Sequence, residues 1–220
     1  MGDTEKNGTP SPRPNFGGIE EPSITPRDSS ILRSIQEEGL TVFAFDGLRR
    51  LLGLHQETLS RVLDRLQDDG FVEKVADGYR LTPEAGELVP RRLSSGLTHV
   101  PIIQALLPED VDVGGIVAGL KGRWFGKLHW VGYSQNEDGT VLRWITEDDD
   151  IQVDAKFTDN LLIIEARVGE GREVSNAVRS SHQLMGYISR LYSGPRRAGK
   201  FATPVAYYPG LEFVWPVTMS

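Results

Sequence analysis

Cysteine is absent from the 220 residues, and the four histidines never fall at the spacing of metal ligands. Without cysteine there is no disulfide framework, no cysteine nucleophile and no thiolate zinc site. No stretch approaches the roughly eighteen consecutive apolar residues of a membrane span, and residues 1–18 lack the apolar core of a secretory signal. We therefore expect a cytoplasmic protein that binds no metal, no cofactor and no membrane.

The sequence also lacks the short motifs of common enzyme classes. It has no glycine-rich phosphate loop, no Gly-x-Ser-x-Gly elbow and no histidine–acid arrangement beside a nucleophile. Paired acidic residues are present, but any acidic chain offers them. These absences predict a protein that is not an enzyme.

Positive charge is scarce, because 24 lysines and arginines stand against 31 aspartates and glutamates and leave a net charge of −7. This balance argues against a protein that coats nucleic acid through bulk charge. The charge is uneven, however: residues 24–92 contain 10 basic and 12 acidic residues, whereas residues 93–168 contain 6 basic and 12 acidic ones. Residues 24–92 could therefore make a local contact with nucleic acid, whereas residues 93–168 are a poor candidate for one.

Helical periodicity begins only after residues 1–23, which are rich in proline and glycine and predict a disordered tail. Thr25, Pro26 and Asp28 are typical of a helix start, and Gly39 predicts the end of this first helix. A second short helix, which ends at Gly53, is predicted by three leucines: Leu48, Leu51 and Leu52.

The third helix has the clearest pattern in the chain. Its apolar residues recur at i, i+3, i+4 and i+7 and form one stripe, while its other face is polar. Two alternating segments, residues 71–75 and 79–81, follow it and are joined across Ala76-Asp77-Gly78, which suits a tight hairpin. Thr82-Pro83-Glu84 then predicts the start of a fourth, short helix. The apolar stripe of the third helix consists of Leu59, Val62, Leu63 and Leu66.

Beyond the apolar segment at residues 102–107, the periodicity changes from helical to alternating. Four β-rich runs, at residues 127–133, 140–145, 151–157 and 161–168, predict an antiparallel meander. Helical spacing returns from Val174 to Tyr192, and this long helix needs an apolar partner, either the sheet or a second subunit. Aromatic residues near the first two strands belong either to the core or to a ligand pocket: Trp124, Phe125, Trp130, Tyr133 and Trp144.

These patterns predict an α+β protein in three parts. Residues 1–23 form the tail. Residues 24–95 form a winged helix-turn-helix domain that binds DNA, because three helices followed directly by a hairpin are typical of that arrangement. Residues 101–220 form a regulatory or dimerisation domain, in which a long helix accompanies an antiparallel β-meander.

The polar face of the third helix is the predicted recognition surface. If its apolar stripe packs on the first two helices, its polar side chains are free to enter a major groove about 12 Å wide. Arginine binds guanine and glutamine binds adenine in bidentate fashion, while hydroxyls contact bases or phosphates. The candidates are Gln56, Thr58, Ser60, Arg61 and Arg65 on this helix, with Arg49 and Arg50 on the second helix as phosphate contacts.

A plainer role is open for the same arginines. Arg61 and Arg65 are also placed to pair with Glu57 and Asp64 as ordinary solvated helix charges, which stabilise a helix by only tenths of a kcal/mol. For the two arginines of the second helix, a surface role without any DNA contact is an equal alternative.

Residues 54–66 (LHQETLSRVLDRL), followed by Gly70-Phe71-Val72 and by residues 81–86 (LTPEAG), resemble the MarR-like winged-helix transcription regulators. The resemblance covers about residues 25–92 and implies that Thr58, Ser60 and Arg61 approach DNA. The family has a longer wing with an Asp-x-Arg tip, whereas the wing here is only Ala76-Asp77-Gly78. We therefore expect Lys74 and Arg80, on the two strands of the wing, to contact phosphates.

The function expected from these observations is that of a sequence-specific, double-stranded DNA-binding transcription regulator that acts by occupying a promoter. A homodimer is expected, because two-fold symmetric regulators bind two half-sites. The C-terminal domain is expected to dimerise, to bind a small-molecule effector or to recruit a partner. Only its basic group at Arg196, Arg197 and Lys200 is expected to reach the DNA backbone.

Two alternatives stay open from the sequence alone. One is an architectural or chromatin-type DNA binder with low sequence preference. The other is a winged-helix module that binds proteins instead of DNA.

Overall fold

A computed structural model describes residues 24–88, 99–108, 110–148, 151–158, 160–168 and 174–192. Within these ranges the chain consists of six helices and one antiparallel eight-stranded sheet, a mixture consistent with the predicted α+β class. None of these helices is long and apolar enough to cross a bilayer. The predicted tail at residues 1–23 and the basic group at Arg196, Arg197 and Lys200 lie outside the described residues.

The elements follow one another in the order α1 (Pro26–Glu37), β1 (Val42–Phe43), α2 (Phe45–Leu51), α3 (Gln56–Asp68), β2 (Val72–Val75), β3 (Gly78–Leu81), α4 (Pro83–Leu88), β4 (His99–Leu106), α5 (Val113–Leu120), β5 (Leu128–Asn136), β6 (Gly139–Thr146), β7 (Ile151–Phe157), β8 (Leu161–Val168) and α6 (Val174–Tyr192).

The first three helices form as their sequence predicts. The backbone N–H of Asp28 donates to the Oγ1 of Thr25 at 3.2 Å and caps α1, and Gly39 adopts a φ of 68° directly after that helix. The positive φ explains the glycine, because side chains disfavour that conformation. The apolar stripe of α3 is fully buried against α1 and α2, in a core that also includes Leu32, Ile35 and Leu48.

Strand β1, which the sequence does not predict, joins the helices to the main sheet. It pairs with β3 on one side and with β5 on the other, so the strand order is β2-β3-β1-β5-β6-β7-β8-β4. Helix α2 also packs closely on β5: a Cβ built on Gly47 would lie 2.4 Å from the Cα of Val131. The hairpin and the meander therefore belong to one continuous sheet.

The predicted meander is confirmed as β5 to β8, with β4 added antiparallel to β8 at the sheet edge. Helices α5 and α6 contribute to the second core, on one face of this sheet. Most of the aromatic residues that could have lined a pocket are instead part of that core: Phe125, Trp130, Tyr133 and Trp144 are buried, whereas Trp124 is exposed.

Candidate nucleic-acid interface

Helix α3 exposes its polar side to solvent, because its apolar stripe is buried in the core. Gln56 and Arg61 are exposed, and Thr58 and Ser60 are half-buried. The five candidates on α3 therefore lie outside the buried stripe, as a helix that enters a groove requires.

Arg61 is more exposed than Arg65, the other charged candidate on α3. Its side chain is 70% exposed, and its Nη2 lies 2.6 Å from the Oε1 of Glu57, which is 71% exposed. An ion pair between two such solvated side chains is weak, because water competes for both partners. Arg61 can therefore exchange Glu57 for a base or a phosphate at little cost.

Arg65 differs from Arg61 because its partner is buried. Its Nε and Nη2 donate to the two carboxylate oxygens of Asp28 at 2.9 and 2.6 Å, and Asp28 is only 2% exposed. These hydrogen bonds lower the pKa of Asp28 against the opposing effect of burial, and they raise the pKa of Arg65. The sequence suggested Asp64 as a partner; the structure gives Asp28 on α1 instead. Arg65 therefore ties α3 to the first turn of α1.

A groove of about 410 Å³ lies beside Arg61, where the first turn of α1 approaches the start of α3. Four of its residues are absent from the sequence-based candidates for DNA contact: Arg27, His55, Glu57 and Val62. The sequence placed Arg27 in the first turn of α1, directly after the predicted helix start, but nothing in it indicated that this turn lies close to α3. The lining residues are Arg27, His55, Glu57, Thr58, Arg61, Val62 and Arg65. Three guanidinium groups face two carboxylates here, the exposed Glu57 and the buried Asp28, so the groove keeps an excess of positive charge that attracts an anion.

The hairpin formed by β2 and β3 carries the two predicted phosphate contacts. Lys74 is exposed and makes no ion pair among the described residues. Arg80 is half-exposed and pairs with Glu73 directly across the hairpin, with its Nη1 3.1 Å from the Oε1 of Glu73. Lys74 is therefore the freer of the two cations.

The arginines of α2 do not line the groove. Arg49 lies 3.8 Å from the carboxylate of Asp46, a weak i,i+3 pair. Arg50 directs its Nη1 to the backbone oxygen of Glu147 at 3.4 Å, so it reaches toward the turn that follows β6. The structure thus separates these two candidates from those on α3.

Comparison with known proteins shows a partial similarity to a transcriptional regulator. The chain is 30% identical over 110 residues to the HTH-type transcriptional regulator TtgV of Pseudomonas putida. The match covers 48% of this chain and 40% of the relative, so the chain spans less than half the length of that protein. No protein-family model and no solved structure matches the chain.

Proposed function

We propose that this protein is a sequence-specific, double-stranded DNA-binding transcription regulator that acts by occupying its site, without catalysing a reaction. The observation that supports this most is the arrangement of α3: its stripe is buried, and its outer side holds the exposed Arg61 beside a groove with three arginines. The similarity to an HTH-type transcriptional regulator points the same way.

In this proposal, residues 24–95 act as a MarR-like winged helix-turn-helix domain. Helix α3 enters the major groove, and Gln56, Thr58, Ser60 and Arg61 contact base edges or the nearest phosphates. A second group contacts only the backbone and fixes the register of the domain on the duplex: Arg27, Arg49, Arg50, Lys74 and Arg80. Arg65 acts mainly through Asp28, by holding α3 in place.

We also propose that residues 101–220 form the regulatory part and mediate a homodimer or bind a small-molecule effector. A dimer interface is supported by apolar side chains at both ends of α6, since Val174 is 54% and Leu191 39% exposed. Light scattering of the full chain tests the dimer, and a monomer both free and on DNA would contradict it.

The proposed function is tested by selecting binding sites from random duplexes with the full chain. Fluorescence anisotropy then compares the selected duplex with a scrambled one of equal length at a fixed salt concentration. We expect the selected duplex to bind about a thousandfold more tightly, or better, which is the range of specific regulators. Affinity should also fall steeply as salt rises, because phosphate contacts release counterions.

The variant Arg61→Ala should weaken binding to the selected duplex by about 1–3 kcal/mol, the usual contribution of a good bidentate base contact. Arg33→Ala, an exposed arginine of α1 outside the groove, is the matched control and should bind like the wild type. Equal affinity for selected and scrambled duplexes would support the architectural alternative. If the chain bound no duplex at all, the remaining alternative would be a winged-helix module that binds proteins.

A further inference from the structure

The face of the sheet opposite α5 and α6 holds a group of buried charges. Arg143 on β6 and Asp154 on β7 are cross-strand neighbours joined by two hydrogen bonds, from Nε at 2.8 Å and from Nη2 at 2.6 Å. Arg167 on β8 lies opposite Gln152 on β7 and donates to its side-chain oxygen. All four side chains are buried. Among these four side chains Asp154 is the single carboxylate, and of the two arginines it accepts hydrogen bonds only from Arg143, so the carboxylate that binds Arg167 comes from outside this group.

Glu38, the residue that caps the C-terminal end of α1, supplies this partner. Its Oε2 accepts a hydrogen bond from the Nη1 of Arg143 at 2.9 Å and another from the Nη2 of Arg167. The same Nη1 of Arg143 also donates to the backbone oxygen of Glu38 at 2.5 Å. The end of α1 is thus bound to two strands of the sheet through one carboxylate and one carbonyl.

The other end of α1 is bound to α3, since Asp28 in its first turn accepts both hydrogen bonds from Arg65. Asp28 and Glu38 are ten residues apart along α1, which corresponds to about 15 Å at 1.5 Å per residue. A helix of this length is stiff. Ion pairs at both ends therefore connect α3 to the buried charges of the sheet through a single rigid element.

We propose that Glu38 is a positioning residue for DNA recognition: by binding Arg143 and Arg167 it fixes α1, and through α1 the orientation of α3 relative to strands β6 to β8. The inference rests on the proposed function. Orientation matters there because a dimer must present its two recognition helices about one turn of DNA, roughly 34 Å, apart.

Three variants test this role in the full chain. Glu38→Gln keeps the size of the side chain and removes its charge, and Glu38→Ala removes both. Glu37→Gln is the matched control, because the adjacent Glu37 is exposed and makes no ion pair among the described residues. Each is compared with the wild type well below its unfolding temperature, so that loss of fold does not enter the result.

The first readout is the distance between a spin label on α3 and one in the turn before β8. Because the chain has no native cysteine, Gln67→Cys on α3 and Asn160→Cys in the turn before β8 give two unique and exposed attachment sites. Labelled chain is diluted into unlabelled chain so that only intramolecular distances are measured. We expect one narrow distribution for the wild type and Glu37→Gln, and a broader or shifted one for both Glu38 variants.

The second readout is affinity for the selected duplex. We expect the Glu38 variants to bind about three- to thirtyfold more weakly, in the range of coupling effects from residues that touch no ligand, and Glu37→Gln to bind normally. A merely stabilising residue would lower the unfolding temperature and leave both readouts unchanged, and that result would overturn the inference. If no duplex binds the wild type, the proposed function fails, while the label distances still decide whether Glu38 positions α3.

Discussion

Replacing Arg143 by Met should destabilise the protein strongly, because the change leaves a carboxylate buried without its partner. The side chains of Arg143 and Asp154 are 8% and 5% exposed, and they share two short hydrogen bonds. Burial lowers the pKa of Arg143, but the combined attraction of Asp154, Glu38 and Glu165 outweighs it and holds that pKa above its ordinary value, so the arginine is charged at every working pH. Removing one member of such a pair costs about 3–5 kcal/mol.

For a chain of this size, each kcal/mol shifts the unfolding temperature by about 2–4 °C, so we expect Arg143→Met to lower it by about 6–20 °C. Urea unfolding followed by circular dichroism measures the free energy directly. Arg33→Met, an exposed arginine, is the control and should stay within about 0.5 kcal/mol of the wild type.

A double variant separates a lost charge pair from lost packing. Arg143→Met combined with Asp154→Leu removes both charges and keeps apolar volume, so its loss of stability should be well below the sum of the two single losses. Additive losses, or a loss below about 1 kcal/mol for Arg143→Met alone, would refute the reasoning about the buried pair.

Two further variants test the way the helices are held. Asp28→Asn should be less stable than the wild type at pH 7, and the difference in unfolding free energy should shrink below about pH 4. Because the pKa of Asp28 is lowered in the fold, its ionised form stabilises the protein above the unfolded-state pKa, and this contribution is lost as pH falls through the folded-state pKa. A difference that stays constant down to pH 2 would contradict this reasoning. Gly47→Ala should lower the free energy of unfolding, measured in urea, by about 1–3 kcal/mol or more, because its Cβ would lie 2.4 Å from the Cα of Val131. The control Gly86→Ala, with open space around it, should be neutral or stabilising. Equal stabilities of the two variants would argue against the close packing of α2 on β5.

The elements that the sequence predicts are those with a strong local pattern. Helix α3 shows apolar residues at the helical period, and strands β7 and β8 show them at every second position, each over seven or more residues. Strand β1 is only two residues long, so it has no period to detect. Helix α5 is interrupted by Gly114, Gly115 and Gly119, which disfavour a helix in isolation and are tolerated here by tertiary packing.

The candidate interface is predictable in part for the same reason. The exposed side of α3 follows from its buried stripe, so Arg61 could be found from spacing alone. The contact between Arg65 and Asp28 joins residues 37 positions apart, and Arg27, the neighbour of Asp28 in the chain, lines the same groove as Arg65. Arg143 and Asp154 alternate with core residues along their strands, yet both are buried, because the end of α1 covers part of their face of the sheet. Such long-range packing has no local signal.

The most direct test of the central claim, that the outer side of α3 contacts duplex DNA, is site-specific photocrosslinking. A photoactivatable group is attached to Gln56→Cys at the exposed start of α3 or, as the control, to Asn160→Cys in the turn before β8, each the sole cysteine of its chain. Bound to the same selected duplex, the group at position 56 should crosslink to bases, and the group at position 160 should give no crosslink. A duplex that is bound tightly but crosslinks from position 160 and not from position 56 would contradict the account.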